Sequence, residues 1–162
     1  MDVIEEFVMV VRKYIKLMDS IPNIPYDKFL NECNVLVPQI YYLGHSLPDS
    51  FDDKILNVEE SKEQRDNIFE ESRALFERLR IYIGNDDKYE PVSDKSITEG
   101  SIADDLADIY GDLKNQIIEY ESGEDLRKKA ALWEWKFTMQ KHAGKHIVDV
   151  LWAIHHVLFS SR

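Results

Sequence analysis

The stretch EDLRKKAALWEWKFTMQKHAGKHIVDVLWAIHHVLF, residues 124–159, contains no proline and a single glycine, Gly144. Its apolar residues recur at helical spacing, which predicts one long helix or two helices broken near Gly144. The apolar face is wide enough to pack against several neighbours, so we expect this last helix to be central. Its predicted core stripe comprises Leu126, Ala130, Trp133, Phe137, Ile147, Val148, Leu151, Ile154 and Leu158.

The rest of the chain shows the same periodicity. Amphipathic helices are predicted over residues 3–18, 26–44, 59–83 and 101–122. The second of these contains Pro38 on the outer side of its apolar arc, and we expect it to bend there and continue. Residues 85–100 are predicted to form a long polar loop. We therefore predict an all-α fold over residues 1–162, a single up-and-down bundle of about five helices with a long C-terminal helix and no sheet.

The composition limits the classes of partner. The 162 residues carry a formal net charge of −11, and a field of that sign repels nucleic acid and anionic membrane surfaces. A basic protein or a metal cation is a better match. The chain has one cysteine, Cys33, and no basic region near Met1, so we expect no signal peptide and a cytoplasmic location.

Aspartates are concentrated at the start of the fourth predicted helix. Asp104, Asp108 and Asp112 are four residues apart and share one face, while Asp105 lies nearer its boundary. Like charges at this spacing destabilise an isolated helix by a few tenths of a kcal/mol per pair. Two interpretations remain open, a solvated acidic face or a ladder of carboxylates for a metal ion or a basic partner.

Histidines mark the last predicted helix. His142 and His146 are four residues apart and Asp149 follows three residues later, so a continuous helix places all three on one face. This triad is a candidate site for a divalent metal ion. The same spacing permits a hydrogen-bonded His–Asp network, or simply exposed histidines. Trp135 is predicted to point toward this face and Trp133 toward the core.

The turn at Gly123 predicts that the fourth and last helices are antiparallel. Asp105 is then expected near residues 146–156, with at least one histidine hydrogen-bonded to an aspartate. The candidate functional face comprises Asp105, Asp108, Asp112, Trp135, His142, His146, Asp149 and His155.

Two motifs resemble the best-marked stretches of a bacterial family, the "domain of unknown function 5063". One is SIADDLADIYGDL, residues 101–113. The other is WEWKF, residues 133–137, followed by His142, Gly144, His146, Asp149, Leu151, Ala153 and His155. The resemblance implies an all-α bacterial protein of unknown biochemical role, in which the Asp and His motifs form one shared site. Ala143 stands where the family is expected to carry tryptophan.

Three functions are compatible with these features. The first is an interaction or structural module that binds a protein partner, or itself, through its acidic surface and an aromatic patch. The alternative is a metal-dependent all-α hydrolase acting on a phosphate-containing small molecule, because Glu60-x-x-Glu63 and Asp105-x-x-Asp108 loosely echo paired acidic motifs. An acidic inhibitor of a basic toxin is a third reading.

The aromatic patch predicts a homodimer. Trp152 and Phe159 are seven residues apart on a helix face that the main apolar stripe leaves free. We expect a symmetric dimer through this face, measured by light scattering at high micromolar concentration. A monomer whose two rings are both buried inside one chain would contradict this prediction.

Overall fold

The computed structural model describes residues 1–160 and is an up-and-down bundle of helices. The helices are α1 (Val3–Ser20), α2 (Tyr26–Ser46), α3 (Lys62–Ile83), α4 (Ile102–Glu121), α5 (Asp125–Thr138) and α6 (Gly144–Phe159). A π-helical turn, Met139–Ala143, joins α5 to α6 into one helical run of 35 residues. The predicted all-α class, with five helices and a long last one, is confirmed. Residues 161 and 162, the end of the predicted domain, lie outside the described residues.

Side-chain caps determine where several helices begin. Asp2 and Glu5 form a capping box at the start of α1. The hydroxyl of Ser61 accepts from the backbone N–H of Gln64, so α3 starts at Lys62 and not at the predicted residue 59. Ser101 caps α4 in the same way, as its spacing from Asp104 predicts.

The central helix is α4, which packs against α1, α3, α5 and α6. Five of its residues are fully buried: Ile102, Ala103, Leu106, Ile109 and Leu113. The expectation that the last helix is central is therefore wrong, because that helix packs mainly on α2 and α4. Its wide apolar face meets two neighbouring helices and leaves the other side exposed.

The buried apolar residues of the described chain form a shared core. The second helix contributes to it on both sides of Pro38, since α2 continues through the proline to Ser46 as predicted. Within residues 1–160, none of the helices is long and apolar enough to cross a membrane.

The loop between α3 and α4 contains a short strand pair, which corrects the prediction of no sheet. β1 (Lys88–Tyr89) pairs antiparallel with β2 (Gly100–Ser101). The ring of Tyr89 lies where a side chain at residue 100 would be, so glycine is needed there. Two-residue strands leave no alternation of polar and apolar residues, so periodicity alone does not detect them.

Buried Asp87 ties this loop to the beginning of α4. Its carboxylate accepts from the backbone N–H of Ala103 at 2.7 Å and from the hydroxyl of Ser101 at 2.9 Å. Its own carbonyl accepts from the N–H of Ile102 at 2.9 Å. The N-terminal amides of α4 thus find partners, and the loop enters the helix in a single direction.

The π turn keeps one side of the last helix buried. Trp135, Met139, Ala143 and Ile147 are four residues apart and all buried. In a regular α-helix, each step of four residues would rotate the side chain by about 40°. The wider π turn removes much of this rotation. A Cβ at Gly144 would collide with the carbonyl oxygen of Met139, so glycine permits the turn.

The predicted roles of the two tryptophans are wrong. Trp135 is fully buried, with its ring edge-on to Phe7 at a centroid distance of 5.1 Å. Trp133 is half-buried and stacks on Phe137 at 5.1 Å. The prediction extended regular helical spacing across Gly144, and the π turn shifts the phase of α5 relative to α6.

The difference in burial between Trp135 and Trp133 predicts a difference in their contributions to stability. Replacing Trp135 with Ala should lower the free energy of unfolding by about 3–5 kcal/mol, because it empties a closed part of the core. The matched change Trp133→Ala should cost much less, since that ring is already in contact with solvent. Urea denaturation followed by circular dichroism measures both. An equal loss in the two variants would contradict this assignment of the core.

Candidate functional site

The site lies where α4 passes the junction of the π turn and α6. Contacts along the two helices run in opposite directions, since Asp112 meets His142 and Asp105 meets His146. This is the antiparallel pairing predicted from the turn at Gly123. Asp105, Asp108 and Asp112 therefore face the two histidines, and both His–Asp hydrogen bonds confirm the expectation of at least one.

His146 is the more buried of the two imidazoles. Its Nδ1 lies 2.6 Å from Oδ1 of Asp105, a carboxylate that is itself buried. Its Nε2 lies 3.3 Å from Oδ2 of Asp108 on the next turn of α4. The imidazole thus has a carboxylate at each nitrogen.

His142 belongs to the π turn and is about half exposed. Its Nδ1 lies 2.8 Å from Oδ2 of Asp112, an oxygen that also accepts from the hydroxyl of Thr138 at 3.3 Å. Its Nε2 lies 3.3 Å from Nε2 of His146. The two Nε2 atoms are therefore close together, while each Nδ1 atom contacts a carboxylate.

Tyr89 completes the surroundings of Asp105. Its hydroxyl donates a short hydrogen bond to Oδ2 of Asp105, the oxygen not used by His146. The β1–β2 pair positions this ring, so sequence periodicity offered no signal for it. Both oxygens of a buried carboxylate are thereby satisfied, which is what its removal from water requires.

The electrostatics follow from burial and from these contacts. The hydrogen bond that His146 donates to Asp105 raises the pKa of His146, although burial opposes it. Burial raises the pKa of Asp105 in turn, against the lowering effect of the bonds from His146 and Tyr89. The pKa of Asp108 is raised as well, by burial and then by the charge of Asp104.

Asp149 serves the loop and not the histidines. Its Oδ1 accepts from the backbone N–H groups of Val92 and Ser93 at 3.0 and 2.8 Å. Its Oδ2 accepts from the Ser93 hydroxyl. The predicted triad of His142, His146 and Asp149 is therefore corrected, because helix spacing gives a face of the helix but not the neighbour that a side chain meets.

Other predicted members of the site lie elsewhere. Trp135 is in the core, and His155 packs against Phe159 at a centroid distance of 4.9 Å. Glu60 lies beside Trp133 and Glu134, and so does not join Asp105 and Asp108. The Glu60-x-x-Glu63 and Asp105-x-x-Asp108 motifs therefore do not form one paired acidic site.

Within the described residues, Asp108, His142 and His146 approach one another closely enough to share a metal ion. One ligand atom from each lies within 4.8 Å of the other two. Asp105 and Asp112 stand behind the imidazoles and orient them. Carboxylates that hold Nδ1 of a metal-binding histidine are the usual outer partners in such centres.

A cleft of about 520 Å³ opens beside the histidines. One wall comes from α4 and the β1–β2 loop, and the other from the π turn and α6. Two lysines of the second wall, Lys141 and Lys145, line it together with His142 and His146. No motif in the sequence singles out these lysines, although each directly precedes one of the two histidines.

The fold and the site together define a class, a helical bundle with a paired-carboxylate histidine cluster between its central and last helices. The chain belongs to the family described as "Domain of unknown function (DUF5063)", whose model matches residues 1–160. The resemblance of the Asp and His motifs to that family is confirmed.

A solved structure shares the fold. The crystal structure of protein BF1032 from Bacteroides fragilis superposes with a TM-score of 0.83 at 20% sequence identity, over 99% of this chain and 95% of that chain. At this identity the likeness shows the fold alone. No curated protein matches the chain.

The site makes stability depend on pH. The pKa of His146 is higher in the folded chain than in the unfolded chain. Its pair with Asp105 therefore stabilises the fold fully at pH values below the ordinary histidine pKa of 6.5. This stabilisation is lost as pH rises through the pKa of His146 in the folded chain. The raised pKa of Asp105 acts in the same direction. In the presence of a chelator, we expect the free energy of unfolding to fall as pH rises above the ordinary histidine value of 6.5.

Urea denaturation at a series of pH values measures this slope. The variant His146→Gln should flatten it, while His155→Gln, outside the site, should leave it unchanged. The same slope in His146→Gln as in the wild-type protein would contradict the assignment.

Proposed function

We propose that this protein binds a divalent transition-metal ion, of the kind that prefers imidazole and carboxylate ligands, at Asp108, His142 and His146. The observation that carries the proposal is the approach of two Nε2 atoms to 3.3 Å while both Nδ1 atoms contact carboxylates. Asp108 adds an oxygen at 3.3 Å from Nε2 of His146.

The tautomers follow from the hydrogen bonds. A carboxylate accepts, and the shorter carboxylate contact of His146 is at Nδ1, as is that of His142, so a neutral ring carries its proton there and has a lone pair at Nε2. Two nitrogen lone pairs 3.3 Å apart repel unless a proton or a cation lies between them. The carboxylates of Asp105 and Asp112 thus prepare both Nε2 atoms to bind a common cation.

Two of the three distances between ligand atoms fit a tetrahedral ion. Two ligand atoms about 2.0–2.1 Å from zinc, at a tetrahedral angle, are about 3.3 Å apart. Both the Nε2–Nε2 distance and the Asp108–His146 distance are 3.3 Å. Zinc and the neighbouring metals of its series accept two imidazoles and one carboxylate.

Three protein ligands leave one position of a tetrahedral ion for water or another small ligand. Structural zinc sites are closed by four protein ligands, whereas catalytic sites keep a position open. The cleft beside His142 and His146 provides the space for that ligand. The arrangement therefore favours a reactive or ligand-binding metal centre over a purely structural module.

Metal analysis tests the proposal. The purified protein is stripped with a chelator and titrated with Zn²⁺ by calorimetry, and we expect one ion per chain. The variants His142→Ala, His146→Ala and Asp108→Asn should each weaken binding by at least tenfold. Asp112→Asn, behind His142, should weaken it by about 10–100-fold.

The controls separate this centre from the triad predicted by spacing. Asp149→Asn and His155→Ala should leave the affinity for Zn²⁺ unchanged, because their side chains lie outside the cluster. Affinity should rise with pH, since the imidazoles must be neutral to bind. Stoichiometric binding that survives in a protein with both His142→Ala and His146→Ala would overturn the proposal.

The homodimer and the cytoplasmic location remain proposals. Trp152 and Phe159 are 48% and 60% exposed in the chain, which supports the proposed dimer face. A basic protein partner is compatible with the net charge of −11. Each of these is independent of the metal centre.

A further inference from the structure

We propose that the cleft binds a phosphate-bearing small molecule, with one phosphate oxygen at the open position of the metal centre and the others at Lys141 and Lys145. The inference rests on the proposed function, because the metal ion is one of the three positively charged groups. It adds the ligand class, which the metal site alone does not specify.

The first observation is where the lysines lie. Lys141 and Lys145 are four residues apart in the same helical run that carries the two histidines. Both are exposed, and both line the same cleft as His142 and His146. A ligand at the metal is therefore within the region that these two flexible side chains reach.

The second observation is that neither lysine forms a direct ion pair within residues 1–160. Lys145 is near enough to Asp94 to help lower the pKa of that carboxyl, after the hydrogen bonds from Ser96. Some other lysines are engaged in direct pairs, including Lys88 with Glu99 at 3.5 Å and Lys114 with Glu71 at 2.6 Å. Within the described part of the chain, the ammonium groups of Lys141 and Lys145 thus have no direct carboxylate partner and remain available to an anion in the cleft.

Electrostatics connect these charges to the metal. Two ammonium groups beside a divalent cation repel it and weaken its binding when nothing lies between them. An anion that contacts the metal ion and both ammonium groups attracts each of them, and so offsets their mutual repulsion. Lysines placed at the opening of a metal centre are therefore expected where the ligand of that centre is negatively charged.

The carboxylates of the cleft are mostly engaged. Glu99 pairs with Lys88, and Asp94 accepts from the N–H and the hydroxyl of Ser96. Asp104 remains exposed on the α4 wall. Its charge opposes an anion on that side, and so directs a phosphate toward the wall that carries the lysines.

The volume of the cleft and the number of its positively charged groups narrow the class of ligand. A cleft of about 520 Å³ is in the range of sites for small molecules. A phosphate monoester has three terminal oxygens, enough for one metal ion and two ammonium groups at once, whereas a carboxylate has two. A phosphate therefore satisfies all three positive groups, and lysine is a common partner of phosphate.

The experiment uses the full chain loaded with Co²⁺, whose visible absorption spectrum reports changes in its coordination. Inorganic phosphate, phenyl phosphate and acetate are titrated separately. We expect both phosphate compounds to change the spectrum, with phosphate bound at least tenfold more tightly than acetate. In the double variant Lys141→Gln, Lys145→Gln, phosphate affinity should fall at least tenfold.

The controls separate failure of this inference from failure of the metal centre. The double variant should bind Co²⁺ as tightly as the wild-type protein or more tightly, because two repulsive charges are gone. Lys13→Gln, on α1 and outside the cleft, should leave phosphate affinity unchanged.

The outcomes that overturn the inference are distinct. Co²⁺ binding with no response to phosphate, or equal phosphate affinity with and without the lysines, would overturn it and leave the metal centre standing. If acetate bound as tightly as phosphate, the assignment of a phosphate ligand would be overturned in favour of a carboxylate ligand. Absence of Co²⁺ binding would overturn the proposed function itself.

Discussion

The contact between the carboxylate of Asp105 and the imidazole of His146 joins the central helix to the last one. A carboxylate buried at a helix interface is costly unless hydrogen bonds replace its water. One partner comes from α6 and the other, Tyr89, from the loop before α4. The requirement to satisfy a single buried acid thus orients two other parts of the chain, and the rest of the cluster is arranged around it.

The π turn has two effects that arise from the same geometry. It keeps Trp135 and Ile147 on the buried side of one long helix, and it includes His142. Without the wider turn, α5 and α6 could not both turn their apolar sides to the core. Gly144 makes the turn possible, since a side chain there would meet the carbonyl of Met139. Core packing and the position of His142 are therefore coupled.

The loop between α3 and α4 is held at two points by hydrogen bonds to aspartate carboxylates. Asp87 binds it to the start of α4, and Asp149 holds Val92 and Ser93 beside α6. This arrangement explains why Asp149, although close in sequence to the histidines, contributes nothing to their cluster. It also shapes the cleft, because the loop that Asp149 holds is one of its walls.

The sequence by itself determined the helical class, the approximate limits of the helices and the antiparallel meeting of Asp105 with His146. These depend on local spacing, caps and a turn, all of which are written in short stretches of chain. Only the tertiary structure decided that Asp108 and not Asp149 joins the histidines, that Trp135 and not Trp133 is buried, and that Tyr89 reaches Asp105. Each of these depends on a phase shift or on a partner distant in sequence, and helical periodicity carries no information about either.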